Sequence, residues 1–365
     1  MKYLRFLYLG IISVMLFSQQ TFPINRHSIT ARKQIRQLQK IAESGMPMFG
    51  HQDALLYGYD FHSDKKKQSF VESDVKDVCG DYPALLGLDL GHTEVANINL
   101  DDQYTDNIIK AAIEHHRRGG VITISWHADN PVTGKSVFDV SDTTVVDKIL
   151  RDKEVQIEFY KRLSKVADIL DRIRDDRGRL IPIIFRPYHE MNHAGFWWSR
   201  WWASPDDFKS LWILTYNYLV KTRGLNNLLW AYSPSNVRTE RSFLSTYPGD
   251  RYVDVVCYEK YQEKGKREDF IKEMQEGLAF IEEFAKAHRK IPAIAECGIK
   301  SVSEPDWWTQ SLLPVLNNAH VAYLLVWRNA GKSTEFYGPY KGHTSEKDFL
   351  ELYNLKKMTF LSDLQ

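Results

Sequence analysis

Strand-like and helix-like segments alternate along the chain. Eight short, almost uniformly apolar runs have the length and composition of strands that are buried on both faces of a sheet. These runs cover residues 46–51, 83–89, 121–127, 180–187, 228–232, 253–258, 291–296 and 321–327. Between them lie segments with apolar residues at helical spacing, such as the face formed by Phe270, Met274, Leu278, Ile281 and Ala285. This order predicts a parallel sheet whose strands are joined by helices.

Eight parallel strands favour a closed (β/α)8 TIM barrel over an open sheet. A helix is also predicted before the first strand, because Ile35, Leu38 and Ala42 form an apolar stripe that Gly45 ends. A chain of 365 residues is long enough for one such barrel or for two ordinary domains. No linker-like, repetitive or low-complexity stretch divides the sequence. We therefore expect a single α/β domain over residues 25–360.

Polar and aromatic residues follow the predicted strands at their C-terminal ends. In a barrel these ends converge on one face, where the active sites of this fold lie. One such residue alone is commonly just part of a loop, but seven endings of this kind together indicate a functional face. They read His51-Gln52, Asp89-Leu90-Gly91-His92, Trp126-His127, His189-Glu190, Tyr258-Glu259, Glu296 and Trp327-Arg328.

Two of these endings supply a glutamate, Glu190 and Glu296. Cleavage of a glycosidic bond uses one carboxyl group as a proton donor and a second as a nucleophile or base. A partly dry pocket raises the pKa of one carboxyl group, while hydrogen-bond donors keep the other ionised. The pair therefore predicts a polysaccharide hydrolase. The residue types leave open which glutamate is the acid.

The segment His189-Glu190-Met191-Asn192-His193 also fits the zinc metalloprotease motif His-Glu-x-x-His. That motif requires a helix, so that both histidines share one face as metal ligands. Here Pro187 and an apolar strand precede the segment, and Gly195 follows it. This context disfavours a helix, and we expect neither a metal site nor a cofactor.

Aromatic residues make up 13% of the chain, with ten Trp and nineteen Tyr. Such a content fits a large core or a sugar-binding cleft, because flat apolar sugar faces stack on aromatic rings. Trp197 and Trp198 lie within eight residues of Glu190, and Trp327 ends the last predicted strand. These three tryptophans are the predicted sugar platforms.

Four other tryptophans are expected to be packed in the protein interior. Trp201 and Trp202 precede a helix that Ser204 is predicted to cap. Trp307 and Trp308 lie near another predicted helix start.

The composition and the first residues bear on location and partners. Basic and acidic residues nearly balance, at 48 and 47, so no nucleic-acid partner is expected. Residues 1–20 combine a basic start with an apolar run over 6–17, which is typical of a secretory signal peptide and too short to span a membrane. We expect a protein without a membrane anchor that is secreted or periplasmic.

Three cysteines, Cys79, Cys257 and Cys297, cannot all pair with one another. One bridge between Cys257 and Cys297 is conceivable, but a core of this size needs no disulfide. Buried free thiols are therefore expected.

The motifs around both glutamates resemble glycoside hydrolase family 26, the β-mannanases. Residues 186–192, Arg-Pro-Tyr-His-Glu-Met-Asn, with Phe-Trp-Trp at 196–198, are similar to the fourth-strand signature of that family. Ala-Glu-Cys-Gly at 295–298 is similar to its seventh-strand signature. Further matching groups are Phe49-Gly50-His51-Gln52, Trp126-His127 and Trp327-Arg328.

The resemblance implies a retaining endo-β-1,4-mannanase that cleaves mannan, glucomannan or galactomannan through a covalent glycosyl-enzyme intermediate. It implies that Glu190 is the general acid/base and Glu296 the nucleophile. Retention in turn predicts that their carboxyl groups lie about 5–5.5 Å apart.

The resemblance also implies roles for the surrounding residues. His189 and Tyr258 would form hydrogen bonds around the nucleophile and the sugar before the cleaved bond. His127 would bind the same sugar, and Trp327 would form its stacking floor. Arg328 would reach one sugar further out.

One segment departs from the family pattern. Family members commonly have Gly-x-Trp after the fourth-strand signature, where this chain has His193-Ala194-Gly195. A tryptophan that stacks on the leaving-group side is therefore missing. Two alternatives within the family are a β-1,3-xylanase and a mixed-linkage β-glucanase. A non-catalytic carbohydrate-binding protein is an alternative of another class, and in each case we expect a monomer.

Overall fold

The computed structural model describes residues 26–63, 69–237 and 239–364, so the predicted signal peptide at 1–20 lies outside the described residues. Eight parallel strands close into a barrel in chain order, and the first strand pairs with the last. The predicted (β/α)8 barrel and its single domain are confirmed. The strands are β1 Met48–Gln52, β2 Leu85–Asp89, β3 Val121–Trp126, β4 Ile183–Pro187, β5 Leu228–Tyr232, β6 Val255–Gln262, β7 Ile291–Ile299 and β8 Tyr323–Val326.

Helices connect the strands around the outside of the barrel. Their starts follow the local sequence: the hydroxyl group of Ser28 accepts the N–H of Ala31, and that of Ser204 accepts the N–H of Asp207. The α-helices are α1 Ile29–Ser44, α2 Asp74–Cys79, α3 Thr105–Arg117, α4 Val145–Arg151, α5 Lys153–Arg172, α6 Pro205–Tyr216, α7 Glu240–Thr246, α8 Arg267–His288, α9 Leu313–Leu316 and α10 Glu346–Asn354. Short π- or 3-10-helical pieces cover Asn217–Thr222, Asp250–Tyr252, Lys300–Val302, Trp308–Leu312 and Leu361–Leu364.

The barrel interior forms one apolar cluster, and a larger one lies between the strands and the helices. Helix α1 contributes Leu38 and Ala42 to the interior cluster, next to Met48 at the start of β1. This helix therefore closes the N-terminal end of the barrel and leaves the C-terminal end as the open one.

Both ends of the described chain are fixed at that closed end. The Arg26 side chain forms an ion pair with Asp254 and donates to the carbonyl of Arg251, just ahead of β6. At the other end of the chain, Thr359 pairs with Met48, where β1 begins. These contacts lie opposite the strand endings that the sequence marks as functional.

The strands β6 and β7 run further than their apolar segments indicated, to Gln262 and Ile299. Their pairing register shifts, because Tyr258 pairs with Ile294 whereas Glu259 pairs with Glu296. One extra residue, Ala295, is thus accommodated in β7 as a β-bulge. A bulge of this kind turns the following side chain toward the other face of the strand.

The cysteines are free and two tryptophans are packed in the interior, as the sequence predicted. Cys79, Cys257 and Cys297 are free; the last two are buried and Cys79 is half-buried. Trp307 and Trp308 are fully buried. None of the described helices combines the length and the hydrophobicity of a transmembrane span.

The outer face of β6 packs tightly on α8. The Tyr258 ring lies over Gly277, where an added β-carbon would come within 2.4 Å of two ring carbons. The hydroxyl group of Tyr258 donates to the carbonyl of Glu273 at 3.2 Å and to Asn236 at 3.1 Å. A glycine in the middle of α8 is therefore required by the close approach of this ring.

We expect Gly277→Ala to destabilise the protein. Alanine gains about 1 kcal/mol of helix propensity, but overpacking against the ring costs about 1–3 kcal/mol. The measurement is the midpoint of thermal unfolding, with the exposed neighbour change Glu276→Ala as the control, which should shift stability by less than about 0.5 kcal/mol. An alanine variant as stable as the parent would contradict this account of the packing.

Candidate active site

The bulge in β7 directs Glu296 into the mouth of the barrel. Ala293 and Ala295 belong to the interior cluster and Ile294 to the outer one, so simple alternation would turn Glu296 outward. The extra residue instead places Glu296 opposite Glu259 of β6. Both carboxyl groups are buried at the C-terminal end of the strands.

A buried arginine joins these two carboxylates. Arg186 of β4 donates to Glu259 at 2.8 Å and to Glu296 at 2.5 Å. Burial disfavours the charged guanidinium, but Glu296 and Glu259 outweigh it and raise the pKa of Arg186. The second oxygen of Glu296 accepts the hydroxyl group of Tyr261 at 2.6 Å. Two donors therefore fix the orientation of the Glu296 carboxylate.

Glu190 lies in a different environment. It stands in a turn after β4 with φ at +50°, and its N–H donates to the carbonyl of Ser233 at 2.7 Å. Burial, followed by the charge of Glu296, raises the pKa of Glu190. The two predicted glutamates thus meet in one site and interact electrostatically. One of them is favoured as an acid, while the other is held by donors.

Three further predicted residues lie together beside the glutamates. The His127 and His189 rings are 4.5 Å apart between centroids, and Trp327 lies 6.0 Å from His127. Burial opposes protonation of His127, but the Asp89 carboxylate, 2.7 Å from Nδ1, raises its pKa overall. Burial and the nearby charge of Arg186 lower the pKa of His189. The two adjacent imidazoles therefore differ in their affinity for a proton, with a raised pKa for His127 and a lowered pKa for His189.

Arg328 belongs to a second polar group at the same end of the barrel. Its guanidinium lies 2.9 Å from Asp101 and 3.5 Å from Glu335. The hydroxyl group of Tyr57 donates toward Asp101 and toward Asp53, at 3.1 Å and 3.0 Å. Burial and the charge of Asp101 raise the pKa of Asp53.

The prediction that Trp197 and Trp198 are sugar platforms is wrong. Both indoles are buried, and their N–H groups donate to the carbonyls of Ala128 at 2.8 Å and His189 at 2.9 Å. Their rings pack against Tyr188 and against each other. These tryptophans therefore stabilise the loops that carry the site.

An exposed ring that the sequence analysis missed lies on the outer side of this aromatic block. Phe138 is 59% exposed and stacks on Phe196 with centroids 5.6 Å apart. Phe196 in turn stacks on Trp198 at 4.8 Å and lies 5.1 Å from His189. Nothing in the local sequence of the 128–150 segment marked Phe138 as part of this stack.

The predicted contact of Tyr258 with the nucleophile is also wrong, because Tyr258 faces α8. Strand residues alternate between faces, so Glu259 and Tyr261 share the inner face of β6 with Cys257. Tyr261 occupies the position that was assigned to Tyr258. The alternation from Val255 onward was the signal that could have identified it.

The zinc motif does not have its required geometry. Residues 188–203 form turns and bends, so His189 and His193 do not share a helical face. His189 is buried, whereas His193 is exposed and accepts the N–H of Gly195.

Curated proteins named as mannan endo-1,4-β-mannosidases are similar to a large part of this chain. A mannan endo-1,4-β-mannosidase of Bifidobacterium adolescentis is 32% identical over 321 residues, which are 81% of this chain and 32% of that protein. Another, from Bacillus subtilis strain 168, is 32% identical over 202 residues, or 53% of this chain and 54% of that protein. The chain thus spans a third to just over half of the length of these relatives.

Solved structures match nearly the whole chain. A family 26 β-mannanase from Bacteroides ovatus is 37% identical with a TM-score of 0.86, covering 92% of this chain and 95% of that one. The catalytic domain of a family 26 endo-β-1,4-mannanase from a Bacillus species is 29% identical with a TM-score of 0.86, covering 93% of each chain. The model of glycosyl hydrolase family 26 matches residues 25–311. The resemblance of the sequence motifs is confirmed, and the chain belongs to glycosyl hydrolase family 26.

Proposed function

We propose that the chain is a retaining endo-β-1,4-mannanase whose catalytic domain covers residues 25–360. The observation that carries this proposal is the unequal environment of two adjacent glutamates in the barrel mouth. Burial and the charge of Glu296 raise the pKa of Glu190, whereas Arg186 and Tyr261 donate to Glu296. The names of the relatives with which the chain shares its family support mannan as the substrate class.

In this mechanism Glu190 begins protonated and Glu296 ionised. Glu190 gives its proton to the glycosidic oxygen as that bond breaks, and a Glu296 oxygen forms a bond to the anomeric carbon. Glu190 then removes a proton from water, which attacks the anomeric carbon and releases Glu296. The two inversions retain the configuration of the sugar.

The residues around Glu296 suit the sugar on the nucleophile side of the cleaved bond. His127 and His189 line this region, Trp327 offers a ring beside His127, and Arg328 lies in the adjoining charged group. We propose that His127, His189 and Trp327 bind the sugar that becomes attached to Glu296. Arg328 would contact the next sugar along the chain.

The finer proposals on location and assembly come from the sequence. We propose export directed by residues 1–20 and action as a monomer on a β-mannan polysaccharide or oligosaccharide, with no nucleic-acid partner and no membrane anchor.

The substrate class is tested by comparing hydrolysis of unbranched mannan, glucomannan, galactomannan, β-1,3-xylan and mixed-linkage β-glucan. We expect the highest kcat/KM on a mannan and, early in the reaction, products of mixed length, because an endo-acting enzyme cuts within chains. Inactivity on every mannan would refute the proposal, and early release of a single short product would refute endo action.

The two glutamates are distinguished by the leaving group of the substrate. Glu190→Ala should lose about 10²–10⁴-fold on mannan, yet keep more of its activity on aryl mannosides, whose good leaving groups need no protonation. Glu296→Ala should be inactive on both, with azide restoring turnover to an inverted product. The measurement is the rate on both substrates, together with the anomeric configuration of the product. The opposite behaviour of the two variants would exchange their roles.

The two tyrosines of β6 form a matched pair for testing which one serves the nucleophile. Tyr261→Phe should lower kcat/KM about 10–100-fold, because it removes a hydrogen bond to a charged group. Tyr258→Phe loses hydrogen bonds on the α8 side, so its activity should stay within about twofold while its stability falls by about 1 kcal/mol. A larger activity loss in Tyr258→Phe than in Tyr261→Phe would contradict the assignment.

A further inference from the structure

Trp201 differs from the other tryptophans of the protein in its exposure. It is 64% exposed, although the sequence analysis expected it to be packed. Seven of the ten tryptophans are fully buried, namely Trp126, Trp197, Trp198, Trp212, Trp230, Trp307 and Trp308. Exposure of one apolar side chain is ordinary by itself, so the surroundings of the ring decide its meaning.

The Trp201 ring is held in place by the loop that carries Glu190. Its indole N–H donates to the carbonyl of Asn192 at 3.2 Å, and its backbone N–H donates to the buried hydroxyl group of Ser199. Neighbouring contacts tie the two arms of the loop together: the N–H of Arg200 donates to Met191 at 2.8 Å. The exposed ring is therefore oriented before any ligand arrives, which lowers the entropy cost of binding.

The same two loops hold Trp201 and Glu190 in place. Asn192, whose backbone carbonyl accepts the indole N–H of Trp201, is only two residues beyond Glu190, or at most about 8 Å along the backbone. The Asn192 side chain accepts the N–H of Ser235 at 2.8 Å and donates to its carbonyl. Ser233, two residues earlier in the same loop, accepts the N–H of Glu190. The ring and the proposed acid thus rest on one framework at the end of β5.

The chemistry of the proposed function gives this position a meaning. Glu190 protonates the glycosidic oxygen, so its loop borders the sugar that leaves. The groups proposed for the other side of the bond, His127 and Trp327, follow β3 and β8 instead. An apolar sugar face stacks on an exposed indole, as on other aromatic rings of sugar-binding sites.

We propose that Trp201 is a stacking platform for a mannose unit on the leaving-group side of the cleft, and this inference rests on the proposed function. It makes Trp201 a determinant of chain-length preference: substrates with sugars beyond the cleaved bond use the ring, and substrates without them do not.

The test compares three variants, Trp201→Ala, Trp201→Phe and the exposed control Ile157→Ala on α5, with the parent protein. Steady-state kinetics are measured on unbranched mannan and, as the release of methanol, on methyl β-mannobioside. Methanol is a poor leaving group, so its release still requires the proton from Glu190, but this cleavage places no sugar on the leaving side.

With mannan, Trp201→Ala should lower kcat/KM roughly 3- to 10-fold, mainly through KM. It should leave kcat/KM for the release of methanol from methyl β-mannobioside unchanged. Trp201→Phe keeps a ring without the N–H donor and should retain at least half of the parental kcat/KM, while Ile157→Ala should match the parent on both substrates.

Three results would overturn the platform. If Trp201→Ala has the same kcat/KM on mannan as the parent protein, stacking on Trp201 is excluded. Equal losses in the alanine and phenylalanine variants would mean that only the hydrogen bond to Asn192 matters. A slower release of methanol from methyl β-mannobioside would mean that the loop and Glu190 had moved. A parent protein that cleaves no mannan would instead refute the proposed function itself.

Discussion

The positive charge of Arg186 is the constraint on which the barrel mouth depends. A guanidinium buried at the end of β4 is tolerated only when carboxylates neutralise it, and removing one partner of such a pair costs about 3–5 kcal/mol. Glu259 of β6 and Glu296 of β7 supply these carboxylates. The arginine therefore holds the ends of three strands in one arrangement, and the bulge in β7 is what allows the third strand to take part.

The same arginine separates the two central glutamates in chemical character. Glu296 receives donors on both of its oxygens, whereas Glu190 stands in a strained turn and lies beside a negative neighbour. Two residues of one type therefore meet different surroundings, and those of Glu190 raise its pKa. The surroundings also distinguish the imidazoles of His127 and His189. Asp89 raises the pKa of His127 against the effect of burial, whereas burial and the charge of Arg186 lower the pKa of His189.

The sequence was sufficient to predict the barrel and the meeting of Glu190 with Glu296. Runs buried on both faces are apolar throughout, and the fold gathers their C-terminal ends on one side. It was insufficient where one residue decides the direction of a side chain. The polar residues Glu259 and Lys260 interrupt the apolar pattern of β6, so the strand was predicted to end at residue 258. The inward direction of the Tyr261 side chain was therefore not predicted. The burial of Trp197 and Trp198 depends on how two loops pack, which composition does not encode.

The two ends of the described chain lie on the side of the barrel that is opposite to the site. Arg26 is clamped to Asp254, and Thr359 pairs with Met48, both behind the barrel rather than at its mouth. Both ends of the described chain therefore lie at the rear of the molecule, away from the strand ends that carry the site. A long, stiff polymer can pass across the front without meeting either of them.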